Sequence, residues 1–400
     1  MYVHRILENE LEKQINRKEI LAVYGPRQSG KTTLIKKILE NKENVNFLTF
    51  DDVETLELFE KDTKSFITQE VEPYNIIFID EIQYSNDSGK KLKFIYDTTG
   101  KKIIVSGSSA IDISIKSLKY LVGRVLIFRL GTFNFEEFLS YKDPKVLKLY
   151  RQGTYKESII AKLNKYLDEF LQYGGYPEVV LSQDKVLILK NLLNIYLLRE
   201  IKEILEIKDN YKIKNLLEIL ASQNGGLVNY AELSQTIDTY SEDLKQKLEI
   251  LEKSLTIRKV RPFFTNKKTE VKKNPKIYFS DTGFRNTILN SYSLANGCLF
   301  ENFVLSEFDK KEISLNYWRT KSKAEVDFVF NSKEPVPIEV KSILKSKKTT
   351  KSFLSFIDKY KPSKAFILSR SFEDEEIRGE TKIYYVPLVK LNKVIEMLTW

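Results

Sequence analysis

The chain has 400 residues, 42% of them apolar and 30% charged, with a formal net charge of +10. That length and balance predict a globular chain of about two to four domains with ample core, and exclude a disordered or fibrous polymer. No apolar run approaches the roughly 18 to 20 residues that span a bilayer, and Met1 to Glu10 lacks a signal peptide's apolar stretch, so a cytoplasmic protein without a membrane partner is expected. The lone Cys298 excludes an internal disulfide framework and a Cys-rich zinc site, and the lone His4 makes a His-based dyad hard to build.

The apolar run Ile20 to Tyr24 leads into Gly25, Pro26, Arg27, Gln28, Ser29, Gly30, Lys31 and Thr32, followed by Thr33, Leu34, Ile35, Ile38 and Leu39 at helical spacing. Strand, glycine-rich loop and helix in that order form a phosphate-binding loop. Its glycines let backbone N–H groups surround an anion, the helix adds its positive end, Lys31 reaches the outer phosphates and Thr32 is placed to hold magnesium. ATP and Mg2+ are the expected cofactors.

Ile76 to Ile79 reads as an apolar strand ending in Asp80 and Glu81. Asp80 is expected to orient the water shell of magnesium and Glu81 to polarise an attacking water, which points to hydrolysis as well as binding. A third strand, Ile103 to Val105, runs into Ser106-Gly107-Ser108-Ser109, where Ser108 is the candidate sensor of the terminal phosphate. Arg124, just before the strand Val125 to Leu130, reads either as an arginine finger for a neighbouring subunit or as half of a surface ion pair.

From Tyr155 to Leu205 apolar residues recur at helical spacing and form core stripes. Tyr211 to Ser222, Tyr230 to Ile237 and Ser241 to Leu255 then read as three helices, the third capped by Ser241. Phe263-Phe264 and Ile277 to Phe279 are expected as wing strands around a tip carrying Lys267, Lys268, Lys272 and Lys273. Such a winged helix suits DNA, with a helix in the groove and the wing on phosphates, or packing against protein neighbours.

Glu325 to Phe330 and Pro337 to Lys341 read as adjacent strands that bring together Asp327, Glu339 and Lys341, with Glu301 on a preceding helix. This set resembles the PD-(D/E)XK nuclease core. The resemblance implies Glu301, Asp327 and Glu339 as metal ligands and Lys341 as the group that activates water. The same residues also suit a degenerate fold in which acids and lysine are simply salt-bridged. The basic run Lys341, Lys345, Lys347, Lys348 and Lys351 beside them reads either as a nucleic-acid track or as a solvated loop. Helix from Phe353, strands at Ala365 to Leu368 and Lys382 to Val386, and a helix from Val389 to Leu398 complete the chain.

The loop at Gly25, Asp80 to Gln83, Gly107-Ser108-Ser109, Gly123-Arg124, Tyr173 to Glu178 and Tyr278 to Gly283 together resemble prokaryotic, archaeal-type AAA+ ATPases. In that family the ATPase and lid are followed by a winged helix and a nuclease-like domain. The resemblance implies an α/β multidomain chain: P-loop ATPase core over 1–154, helical lid over 155–210, winged helix over 211–280 and restriction-endonuclease-like domain over 281–400. It implies a homo-oligomer, with rings, hexameric ones included, as the expected form. Serine stands where the first sensor is usually asparagine, and Arg199 is the one candidate for a second sensor. The expected function is a magnesium-dependent ATPase acting on branched, single-stranded or duplex DNA, with metal-dependent cleavage by the last domain. The alternative is a nucleotide-controlled switch with protein partners and an inactive nuclease-like domain.

Overall fold

The structure, a computed structural model, describes residues 2–108, 119–153, 155–195, 210–264, 270, 273–294 and 297–399. Two compact units emerge, one of Met1–Phe133, Tyr176–Glu178 and Leu248–Thr256, the other of Asn134–Gly175, Val179–Lys247 and Ile257–Trp400.

The first unit is built on β1 (Ile20–Gly25), β2 (Val45–Thr49), β3 (Ile76–Asp80), β4 (Lys102–Ser108) and β5 (Val125–Arg129), all parallel in the order β2-β3-β4-β1-β5. Alternate residues bury on opposite faces. Ile20, Ala22, Ile77, Ile79, Ile103 and Val105 join Phe50, Phe59 and Phe66, while Leu21, Val23, Phe78 and Ile104 join Leu34, Ile35 and Leu39 of the helix Lys31–Leu39. Strands covered on both faces read as unbroken apolar runs, which is why β1, β3 and β4 were legible and the half-exposed edge strand β2 was not. Each buried Ile, Leu or Phe contributes roughly 1.5–3 kcal/mol relative to exposure. Because β1 and β3 flank β4 in parallel, Gly25, Asp80 and Ser108 all reach one sheet edge.

In the second unit the helices Glu157–Tyr173 and Lys185–Ile195 pack on Thr282–Ile288. Helices Asn210–Ser222, Tyr230–Thr236 and Ser241–Lys253 precede the antiparallel pair β6 (Ile257–Val260) and β7 (Lys276–Phe279). This order matches the expected one, but the first strand does not: Phe263 is buried against Phe356 and Tyr360 instead of lying in a wing. An aromatic side chain of that size is stabilised more by a core than by a solvated ribbon. Lys267, Lys268 and Lys272 lie outside the described residues.

The unit's main sheet has six strands in the order β12-β13-β11-β10-β9-β8. They are β8 (Leu315–Arg319), β9 (Glu325–Phe330), β10 (Val336–Val340), β11 (Lys364–Ser369), β12 (Asp374–Arg378) and β13 (Thr381–Pro387). β10, β11 and β13 are parallel, and the remaining pairings antiparallel. Phe353, Phe356 and Ile357 of the helix Lys351–Tyr360 cover one face, against Trp318, Val326, Val329 and Ile367.

Candidate functional sites

The loop after β1 is shaped by backbone. A Cβ on Gly25 would sit 1.9 Å from the Leu130 carbonyl oxygen, so only glycine fits there. Gln28 (φ 58) and Gly30 (φ 90) both take left-handed conformations, which turns successive N–H groups toward a common centre at the start of the helix Lys31–Leu39. Lys31 is buried and its Nζ donates to the carbonyls of Gly25 and Pro26, each at 3.0 Å. The structure therefore folds Lys31 over the loop in which Pro26, Arg27 and Ser29 lie, with Thr33 in the first turn of the helix behind it.

Thr32 Oγ1 donates to Asp80 Oδ2 at 2.6 Å, joining helix start and β3 end. The other Asp80 oxygen accepts from the Glu81 amide at 3.1 Å and from the Ser106 hydroxyl. Glu81 has a left-handed backbone (φ 53, ψ 43), and its carboxylate accepts from the Gln83 amide group. A non-glycine residue held there costs on the order of 1–3 kcal/mol, the kind of strain that collects at functional sites. Ser108 is buried and pairs in register with Gly25, but the serine that touches Asp80 is Ser106. Ser106 and Ser108 are two apart on β4 and share a face, so alternation does not separate them; the register of β4 on β3, with Ile79 beside Val105, is what sets Ser106 next to Asp80. Ser109 and Arg199 lie outside the described residues.

Two further residues bear on the loop. Arg5 is 4% exposed; its Nη1 donates to the Ser29 carbonyl at 2.7 Å, its Nη2 to the Gly131 carbonyl at 2.8 Å, and its guanidinium lies 4.9 Å from the centre of the Phe133 ring. Arg27 Nη2 donates to the Tyr84 hydroxyl at 3.1 Å. Nothing local in the sequence marks Arg5, because its partners are carbonyls 24 and 126 residues away.

Arg124 precedes β5, which pairs with β1 in the register Ile20↔Val125. It therefore sits at the sheet edge opposite Gly25. Its Nε donates to Asp97 Oδ1 at 2.8 Å and its Nη2 to Oδ2 at 3.3 Å.

The second cluster lies in the second unit. Asp327 and Glu339 sit one residue beyond the Ile338↔Phe328 pair of β9 and β10. Asp327 Oδ2 accepts from the Val340 amide at 2.8 Å, and Glu339 Oε1 from Lys341 Nζ at 2.7 Å and Thr350 Oγ1 at 3.2 Å. Glu301, on the helix Cys298–Lys310, accepts from the Tyr278 hydroxyl at 2.8 Å. Lys276, from the same strand as Tyr278, pairs with Glu325 Oε1 at 2.5 Å, and Arg319 lies 3.4 Å from the other Glu325 oxygen. Burial, and then the charge of Asp327, push Glu301 and Glu339 each up to about 7. Burial also raises Asp327, opposed chiefly by Lys276.

These acids were expected to ligate a metal. The buried Glu339 Oε2 lacks a hydrogen-bond partner, which suits a cation. Yet among the described residues no three His, Cys, Asp or Glu side chains are gathered so as to hold one ion. Glu301, Asp327 and Glu339 are instead each drawn to a different protein donor, so they are not a formed ligand set.

Residues 17–139 match a family described as an AAA domain, and residues 164–294 and 296–391 match two domains of unknown function, DUF8612 and DUF4143. An uncharacterized protein of Haemophilus influenzae is 26% identical over 404 residues, covering 95% of this chain and 97% of that one. An uncharacterized protein of Methanocaldococcus jannaschii is 26% identical over 421 residues, covering 96% and 86%. The solved walker-type ATPase of Pyrococcus abyssi is similar at 15% identity, with a TM-score of 0.47 over 72% of this chain and 96% of that one. The match to the AAA domain family thus falls on the part of the chain that holds the parallel sheet and the phosphate-binding loop. No helix among the described residues is long and apolar enough to cross a membrane.

Proposed function

We propose that the chain is a magnesium-dependent ATPase that acts on DNA as a motor or remodeller and works as a homo-oligomer. The observation that carries the hydrolytic reading is the Thr32–Asp80 hydrogen bond beside a strained Glu81. Thr32 and Asp80 offer the hard oxygen donors that magnesium takes, and the loop's N–H groups suit a triphosphate. Bound there, the ion would screen charge on the phosphates. Ser106 and the Glu81 amide hold the Asp80 carboxylate in place, Lys31 swings from the loop carbonyls to the outer phosphates, and Glu81 takes a proton from the attacking water. Arg124, on the far sheet edge, is available only to a neighbour's nucleotide.

The DNA reading draws support from charge at one end of the six-stranded sheet. Lys321 and Lys323 lie in the turn before β9, and Lys345, Lys348 and Lys351 follow β10, whose end adjoins the start of antiparallel β9. Lysines on both sides of one strand end suit a phosphate backbone. ATP hydrolysis measured with and without branched, single-stranded and duplex DNA tests the proposal, with the same samples run on a gel for cleavage. Stimulation by one form that weakens steeply with salt is expected; turnover unaffected by every form would remove the DNA role.

One observation favours the switch with protein partners. The helix Ser241–Lys253, the one a winged helix would lay in the groove, carries Glu242, Asp243, Glu249 and Glu252 against Lys245, Lys247 and Lys253. Its acids outnumber its bases, which opposes docking on phosphates.

A further inference from the structure

We propose that Lys276, delivered by β7, is the built-in counter-ion of the carboxylate cluster in the second unit and takes the charge-neutralising place that a divalent metal would otherwise hold. The inference rests on reading Glu301, Asp327, Glu339 and Lys341 as a nuclease-like centre.

Lys276 is 3% exposed. Its backbone is fixed twice, by pairing with Val260 of β6 and by a bridge to Leu227. Its ammonium pairs with Glu325 at 2.5 Å and lies 5.6 Å from the centre of the Tyr317 ring. A buried ammonium is costly unless anions surround it, so its position is set by the acids it neutralises. Two residues on, and hence on the same side of the strand, Tyr278 donates to Glu301. One short strand thus brings both a cation and a hydrogen-bond donor to the cluster.

Fully ionised, the cluster would place Glu301, Glu325, Asp327 and Glu339 against Lys276, Arg319 and Lys341. Two of those cations reach the acids at 2.7 Å or less. Lys276 is the leading positive influence on both Asp327 and Glu301. Losing it leaves the acids under-neutralised, with the unpartnered Glu339 Oε2 among them. The segments flanking the strand pair are tied to the sheet: the Tyr317 amide donates to the Arg261 carbonyl, just after β6, at 3.0 Å and the Tyr317 hydroxyl to the Asn274 carbonyl, just before β7, at 2.7 Å.

Terbium(III) is the probe, because nearby tyrosines such as Tyr278 sensitise its emission. Titrations of the full chain compare wild type, Lys276→Met, Lys276→Arg and Asp327→Asn. The emission that Asp327→Asn abolishes should be weak in wild type and in Lys276→Arg, and its affinity should rise about tenfold or more in Lys276→Met, as expected for removing a like charge at close range. Tight Asp327-dependent binding by wild type overturns the proposal even if Lys276→Met fails to fold. Absence of Asp327-dependent emission from every variant also overturns it. A double-mutant cycle on melting then locates the fault: coupling between Lys276→Met and Asp327→Asn would keep the ion pairing and condemn the nuclease-like reading.

Discussion

Thr32 Oγ1 lies 2.6 Å from Asp80 Oδ2, so the start of one helix and the end of a strand 48 residues later share one hydrogen bond. Ser106 completes the arrangement from the strand between them. Removing its hydroxyl leaves one carboxylate oxygen with the Glu81 amide alone among these partners. Hydrogen bonds to charged groups contribute roughly 1.5–3 kcal/mol. Ser106→Ala is therefore expected to lower ATP turnover by about tenfold or more, and Lys31→Ala to abolish it. Steady-state phosphate release checks both; wild-type turnover in Lys31→Ala would remove the ATPase assignment.

Arg124 holds Asp97 through a two-point pair near the surface. Exposed pairs of this kind contribute only about 0–1 kcal/mol, so the arginine can leave Asp97 at little cost when a neighbouring nucleotide offers more. Arginine fingers are worth roughly 10³–10⁵ in turnover. Arg124→Ala and Lys31→Ala should each be inactive, yet a mixture should regain activity, because intact loops of the first meet intact arginines of the second. A mixture as inactive as its parts would assign Arg124 to the ion pair alone.

How far the sequence could be read follows from range. The phosphate loop, Asp80 and the strands β1, β3 and β4 are local patterns, and each stands where its spacing put it. The E-x-K of Glu339 and Lys341 fell beside Asp327 because antiparallel neighbours bring one strand's start to the next one's end. Arg5, Ser106, Lys276 and Tyr278 stayed hidden because each acts through partners distant in the chain. Phe263 misled for a related reason: a paired aromatic resembles a strand until a distant core, here Phe356 and Tyr360, is available to it.

Arg5 braces the loop from behind by donating to the Ser29 carbonyl. Lysine can keep one of its two carbonyl contacts, whereas methionine keeps none and leaves both oxygens short of a donor. Arg5→Met is expected to raise the KM for ATP about tenfold, from the loss of roughly 1.5 kcal/mol or more in hydrogen bonding to the loop. Arg5→Lys should recover much of that loss. A fall in kcat and melting temperature without a change in KM would make Arg5 a purely structural residue.

Glu301 and Glu339 each titrate in the folded chain at about 7, against an ordinary carboxylate value near 4.5. A raised folded value means the folded state holds its protons more tightly than the unfolded chain does. The stabilisation is complete below about 4.5 and disappears as pH rises through 7, because ionising a buried acid beside Asp327 is costly. Thermal melting should therefore show the second unit losing on the order of 1–3 kcal/mol between pH 5.5 and 8. Glu301→Gln keeps an acceptor for the Tyr278 hydroxyl but has no proton to lose, so it should flatten that slope. An unchanged slope in Glu301→Gln and in Glu339→Gln would place the responsible protons elsewhere.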